Sequence, residues 1–536
     1  MTTWRALYHL GRADFLERVR RYSFLISLAL TAYFSYVCLP PNHATYVTMR
    51  IDNHRGTYNS ACVGTLVAML TALILSLVGF YLVKNAVGRD LRTGVGQILA
   101  TTPLTKPLYT LGKVLSNFAV LAVMVGVMAF AAGAMQLARR EDMTIHPWQL
   151  LAPFIFIVLP VMATVAGVAV LFEVIPVLRG GVGNVAYFFL WITGMGLSAG
   201  IPADANPWWR SADLMAFDTA TPSFFSACDA AFPGCGASKE FSMGFNFGSG
   251  TVWNLTTFHW DGIHWSITAI LERLPWVGIG AGFALLAAVF FHRFDPARER
   301  GKKAPAAPGE APEPEERAAR PATMHVRLSP LASAARRFSF PSLVEAELRI
   351  ALKSVSRWWY VVALILMVGG LASPLAISRF WLIGAWIWPI LIWSAMGTRE
   401  ARQGTEQLVF SIAHPLSRQL PACWLAGVLV AALTGLGTAL RLLLARDSAG
   451  LAAWGVGALF IPTLALALGV WSTSSKLFEV IYMLLWYIGP ANRVAAFDYT
   501  GATGLSSRTS TPLVFLTCTL ILGALTLAGR KRQIRS

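Results

Sequence analysis

The sequence predicts an all-α polytopic membrane protein, with about 12 transmembrane helices in two parallel six-helix repeats. Three observations predict it. The chain is 55% hydrophobic and only 13% charged, against about 25% charged residues in soluble domains. Apolar runs recur along its whole length, and each is long enough to cross ~30 Å of hydrocarbon as a helix. Two charged islands, residues 88–113 and 397–420, interrupt those runs at equivalent places in the two halves.

The net charge of +17 does not point to nucleic acid. Basic residues kept in cytoplasmic loops raise the pI of any polytopic protein. With both termini cytoplasmic, 32 of the 44 Lys and Arg residues fall inside. The inverted topology puts both islands and the most basic segment outside, against that bias.

Taken in order, the first unit covers residues 1–293. Residues 1–22 form an interfacial helix, with Trp4, Leu7, Tyr8, Phe15 and Val19 near one face and arginines around them. Basic residues precede the first apolar run and no small-residue cleavage site follows it, so the first span is expected to be its own signal anchor. Spans follow at about 24–40, 61–83, 114–137, 149–172, 183–202 and 272–292. Residues 203–270 make a long outer loop, rich in Trp and Phe and poor in Lys and Arg, in which re-entrant or surface helices are expected. Residues 294–340, rich in Pro, Ala, Glu and Arg, read as a disordered cytoplasmic linker. The second unit, 341–536, opens on another interfacial segment. Its spans lie at about 358–375, 379–397, 421–444, 450–472, 476–490 and 511–529.

The islands match in detail. GVGQ at 94–97 and PLTK at 103–106 answer GTEQ at 404–407 and PLSR at 415–418. The fifth spans match as well, YFFLWITG at 187–194 against YMLLWYIG at 482–489. A shared LFEVI, at 171–175 and 477–481, falls in unmatched spans and is taken as chance. Each island suits a short helix lying along the membrane surface. Charges precede it, an apolar strip runs through it (Ile98 and Leu99; Leu408, Val409 and Phe410), and proline stops it.

Those motifs resemble the cytoplasmic coupling segment of ABC-2-type ABC transporter permeases, and the two six-span units resemble two such permeases fused in one chain. The first copy departs from the pattern, with Gly96 where the second has Glu406. The resemblance implies a permease subunit that exports a substrate using ATP hydrolysed elsewhere. It implies two copies of an ABC ATP-binding subunit below, with ATP and Mg held there, and a bacterial inner-membrane location. The coupling residues so implied are Arg89, Asp90, Arg92, Gly94, Gln97, Pro103 and Lys106 in the first island. In the second they are Arg399, Glu400, Arg402, Gly404, Glu406, Gln407, Pro415 and Arg418. Independently, the chain contains no G-x-x-x-x-G-K-[ST]: Gly112-Lys113 and Gly301-Lys302 continue with Val and Lys. No phosphate cradle, cofactor site or hydrolytic centre is expected in this chain.

The remaining candidates are few. The histidines are dispersed without paired metal-ligand spacing. Cys228 and Cys235 lie close together in the outer loop; an oxidising compartment pairs them, and otherwise they stay free thiols. Glu173 and Glu479 sit near cytoplasmic span ends, where local ion pairing is expected. Scarce buried charge argues against ion-coupled antiport and favours a lipid-like or amphipathic cargo. An ATP-independent transporter or channel, and a scaffold for a peripheral enzyme, are the rival readings.

Overall fold

The computed structural model describes residues 3–20, 22–41, 44, 46–199, 213–235, 241–247, 255–292, 294, 339–353, 355–412, 414–504 and 509–535. The chain divides into two compact units, Met1–Glu299 and Arg300–Ser536. The linker predicted for 294–340 lies outside the described residues except for Phe294, Ser339 and Phe340.

Unit 1 begins with α1 (Thr3–Val19) and α2 (Tyr22–Cys38), then strands β1 (Tyr46–Ile51) and β2 (His54–Gly56). Next come α3 (Ser60–Val83), α4 (Ala86–Arg92), α5 (Val95–Thr101) and α6 (Lys106–Arg139). The following span is α7 (Pro147–Pro153) and α8 (Leu159–Val174), joined by a π turn at Phe154–Val158. That turn directly follows Pro153, a residue that breaks regular helical hydrogen bonding. The unit closes with α9 (Gly181–Ala199), α10 (Phe217–Ala231), β3 (Phe241–Phe247), β4 (Thr256–Phe258), α11 (Ile267–Leu271) and α12 (Leu274–Phe290).

Unit 2 contains α13 (Phe340–Lys353), α14 (Arg357–Ala372), α15 (Leu375–Ile387) and α16 (Ile390–Ser394). The short helices α17 (Arg399–Gln403) and α18 (Glu406–Phe410) follow. The unit ends with α19 (Gln419–Leu444), α20 (Ser448–Ser472), α21 (Ser475–Trp486) and α22 (Thr511–Arg535).

Eight helices among the described residues are long and apolar enough to cross a membrane, four in each unit. They are Ser60–Leu91, Lys106–Arg139, Pro147–Val174, Ile267–Phe290, Leu375–Ser394, Gln419–Leu444, Ser448–Ser472 and Thr511–Ile534. The chain is thus a multi-pass helical membrane protein by length and composition. The other four predicted spans are helices too (α2, α9, α14 and α21), but shorter or less apolar.

One part departs from the all-helical expectation. Unit 1 carries a four-stranded sheet in the order β3-β1-β2-β4. β1 pairs antiparallel with β2 and with β3, and β2 pairs parallel with β4. The outer loop therefore does not fold as surface helices alone: among its described residues, α10 and the start of α11 are helical, and two stretches are strands. The sheet is tied to the helices at Glu141, which takes the Arg55 guanidinium at 2.6 and 2.9 Å and the Tyr58 N–H at 3.0 Å. Cys228 and Cys235 are joined as a disulfide beside it, with Cα atoms 5.8 Å apart.

Candidate functional site

The first island begins where α3 stops. Asn85 takes a left-handed conformation (φ 106°), and α4 starts in a new direction. The first N–H groups of a helix have no partner within it. Here the carboxylate of Glu173, at the end of α8, accepts from the N–H groups of Asn85 (2.5 Å), Ala86 (2.9 Å), Val87 (2.7 Å) and Gly88 (3.1 Å). Two of these donors, on Ala86 and Val87, are buried and would cost about 1–3 kcal/mol each if left unmet, so this one side chain stabilises the start of α4.

From α4 two predicted coupling residues turn inward. Arg89 pairs with Asp14 of α1 and, at 3.3 Å, with Glu17. Asp90 accepts from the Tyr109 hydroxyl at 2.7 Å and faces the Lys113 ammonium at 2.8 Å. Lys113, only 2% exposed, also reaches Asp14 at 2.9 Å. Arg18 adds a contact to Asp14 at 3.3 Å and donates to the Val83 carbonyl at 3.5 Å. Burial alone raises the Asp14 pKa, but the charges of Lys113, Arg18 and Arg89 prevail and hold it below the ordinary aspartate value. The network joins α1, α4 and α6. α1 packs on the protein along Gly11, Asp14 and Arg18, and Tyr8 is exposed.

Beyond α4 the island turns outward. Gln97, Ile98, Pro103 and Lys106 are exposed, Ile98 by 67%. Gly94 is half-buried, at the left-handed turn that separates α4 from α5. The side chain of Arg92 lies outside the described residues. Leu99 and Leu104 pack beneath, against a cluster with Tyr109, Phe291 and Phe294. Gly96 is buried against the Phe294 ring, which a Cβ there would approach to 2.7 Å. A side chain in place of Gly96 would force the Phe294 ring to shift.

The second island is built on the same division. Arg399 pairs with Glu347 of α13 at 3.0 Å. Glu400 is buried; it accepts from Gln419 Nε2 at 3.1 Å and lies 3.8 Å from the Arg530 guanidinium. Gln419 also reaches Glu347 at 3.4 Å. Arg530 lies over the Phe410 ring, 4.7 Å from its centre. Outward stand Arg402, Gly404, Gln407 and Leu408, the last 73% exposed. Arg402 donates to Ser475 at the start of α21. Glu406, Pro415 and Arg418 are half-buried.

The residues predicted as one coupling set therefore divide in two. Arg89, Asp90, Arg399 and Glu400 are tied inward by ion pairs and hydrogen bonds within their own units. Gln97, Pro103, Lys106, Arg402, Gly404 and Gln407 form the exposed faces. Sequence reasoning missed the anchors' partners: Asp14, Tyr109, Lys113, Glu347, Gln419 and Arg530. The available signal was a pair of acids, Asp14 and Glu17, within a mostly basic interfacial helix, with Asp14 one turn before Arg18. Glu173, read from the sequence only as a carboxylate near a cytoplasmic span end, serves as a helix cap.

No group of His, Cys, Asp or Glu that could hold a metal occurs among the described residues. Cys38, Cys62 and Cys423 are buried thiols. Compared with family models, curated proteins and solved structures, the chain matches none.

Proposed function

We propose that the chain is the membrane permease of an ABC transporter of the ABC-2 type, with two six-span units driven by a separate ATP-hydrolysing subunit. The observation that carries the reading is the pair of islands. Each is pinned inward by an Arg–acid pair (Arg89-Asp90; Arg399-Glu400) and turns a mixed polar and apolar face outward. A loop held that firmly, yet exposing Ile98 and Leu408, is suited to receive a rigid partner.

Recurring hydrogen bonds support the two-unit reading. In unit 1, Tyr187 donates to the Ser76 carbonyl at 2.6 Å and Trp191 to the Leu73 carbonyl at 3.2 Å. In unit 2, Tyr482 donates to the Trp386 carbonyl at 2.6 Å and Trp486 to the Ile383 carbonyl at 2.9 Å. The donors are the matched residues of the predicted fifth spans. The acceptors lie three residues apart on each predicted second span, in the register that also aligns Arg89 with Arg399. On this reading α2, α9, α14 and α21 complete 12 spans with the eight long helices. Both termini and both islands then lie on the cytoplasmic side of an inner membrane.

The cargo proposed is lipid-like or amphipathic, and its direction is outward. An open groove of ≈ 620 Å³ in unit 1, lined by Leu115, Phe118, Phe156, Leu159 and Val277, supports a hydrocarbon portion. Flux in proteoliposomes tests the mechanism. The purified chain alone is expected neither to bind ATP nor to transport; substrate flux with no ATP or partner present would overturn the proposal.

A further inference from the structure

The permease reading says where a partner docks but not which span its push reaches. We infer that in each unit the island is fixed to the cytoplasmic end of the fourth predicted span, so that island and span move as one body. In unit 1 the fixing residue is Glu173. Its carboxylate, 88 positions along the chain from Asn85, takes the first N–H groups of α4. The same joint is tied a second time. The Lys84 ammonium reaches the Leu178 carbonyl at 3.0 Å, the Gly180 carbonyl at 3.4 Å and Asn184 Oδ1 at 2.6 Å, all in or just past the turn that follows α8.

In unit 2 the equivalent stretch meets the equivalent span by different chemistry. Met396 and Gly397 lie directly against α20. A Cβ on Gly469 would come within 2.3 Å of the Met396 carbonyl oxygen, and one on Gly397 within 3.1 Å of the Leu466 carbonyl oxygen. Gly397 also has φ 72°, so it is the residue that lets the chain turn at that contact. One register places Ala86 and Val87 opposite Met396 and Gly397. A carboxylate cap and a backbone-to-backbone contact thus hold the same joint. Glu173 and Gly469 are positioning residues: they touch neither the exposed docking face nor the groove.

The inference rests on the permease reading for its consequence, but its physical part is testable without any partner. Amide exchange is measured on the full chain in lipid nanodiscs, for wild type, Glu173→Ala, Glu173→Gln and Gly469→Val. Glu173→Ala is expected to lower protection at 85–88 on the order of tenfold or more. Glu173→Gln, which keeps one acceptor oxygen, should fall between. Protection of 396–400 should drop only in Gly469→Val. Unchanged protection at 85–88 in Glu173→Ala overturns the inference, and normal protection across α3 and α9 shows that the variant has folded. With an ATP-hydrolysing partner, both variants should bind it normally yet transport several-fold less per ATP. A normal transport-to-ATP ratio in a variant that has lost protection also overturns it. Flux by the wild-type chain without ATP would instead remove the permease reading, leaving the exchange result to decide the joint.

Discussion

Asp14 is the residue on which the first anchor turns, with Lys113, Arg89 and Arg18 all in contact with it. Removing its charge leaves Lys113, Arg18 and Arg89 with Asp90 and Glu17 in direct contact to balance them. Asp14→Asn should therefore destabilise unit 1 by about 3–5 kcal/mol, the usual cost of breaking a buried ion pair from one side. Because its folded pKa lies below 3.8, the anchor contributes in full above that value. It is lost as pH falls through the depressed one. The wild-type melting temperature should thus hold from neutral pH to about pH 4 and fall below it. The Asp14→Asn protein should melt lower throughout and lack that acid limb. Gly96 offers a steric counterpart. Gly96→Glu, which copies the second island, forces a side chain into the Phe294 ring and should cost about 1–3 kcal/mol. Phe294→Ala should relieve much of that penalty in a double-mutant cycle.

At the scale of elements, each island has one face tied into its unit and one face exposed. Substituting the exposed faces should spare stability and abolish docking. Gln97→Asp with Lys106→Glu, or Gln407→Asp with Leu408→Glu, should change unfolding by no more than about 0.5 kcal/mol while the partner no longer copurifies. The sequence made the positions of these elements legible but not their faces. Arg89 and Asp90 read as a charged surface cluster because their partners, Asp14 and Lys113, lie on α1 and α6. Only tertiary packing brings those together. The sheet was hidden for a related reason: Tyr46 pairs with Phe247, and His54 with Thr256. Strands whose partners lie some two hundred residues away leave only a weak local signal, and β2 and β4 are three residues each. The eight long helices were legible because sustained apolarity in a membrane needs no partner to be recognised.

Across the whole molecule, the same Tyr and Trp hydrogen bonds recur in both units, which supports the proposed two-unit plan. The Tyr–Trp clasps can be tested directly. Tyr187→Phe and Tyr482→Phe should each cost about 0.6–1 kcal/mol. Because they lie in separate units, the double variant should show additive losses. The central claim remains that both islands receive the same kind of ATP-hydrolysing partner. A photo-crosslinking amino acid at Gln97, and separately at Leu408, tests it most directly in intact cells. Trp148, exposed near the start of α7 and at the far end of α6 from the first island, serves as the control. Mass spectrometry should identify one class of adduct at both island positions and not at Trp148: a protein carrying a phosphate-binding G-x-x-x-x-G-K-[ST] loop. Adducts confined to proteins without such a loop, or equal capture at Trp148, would contradict the account.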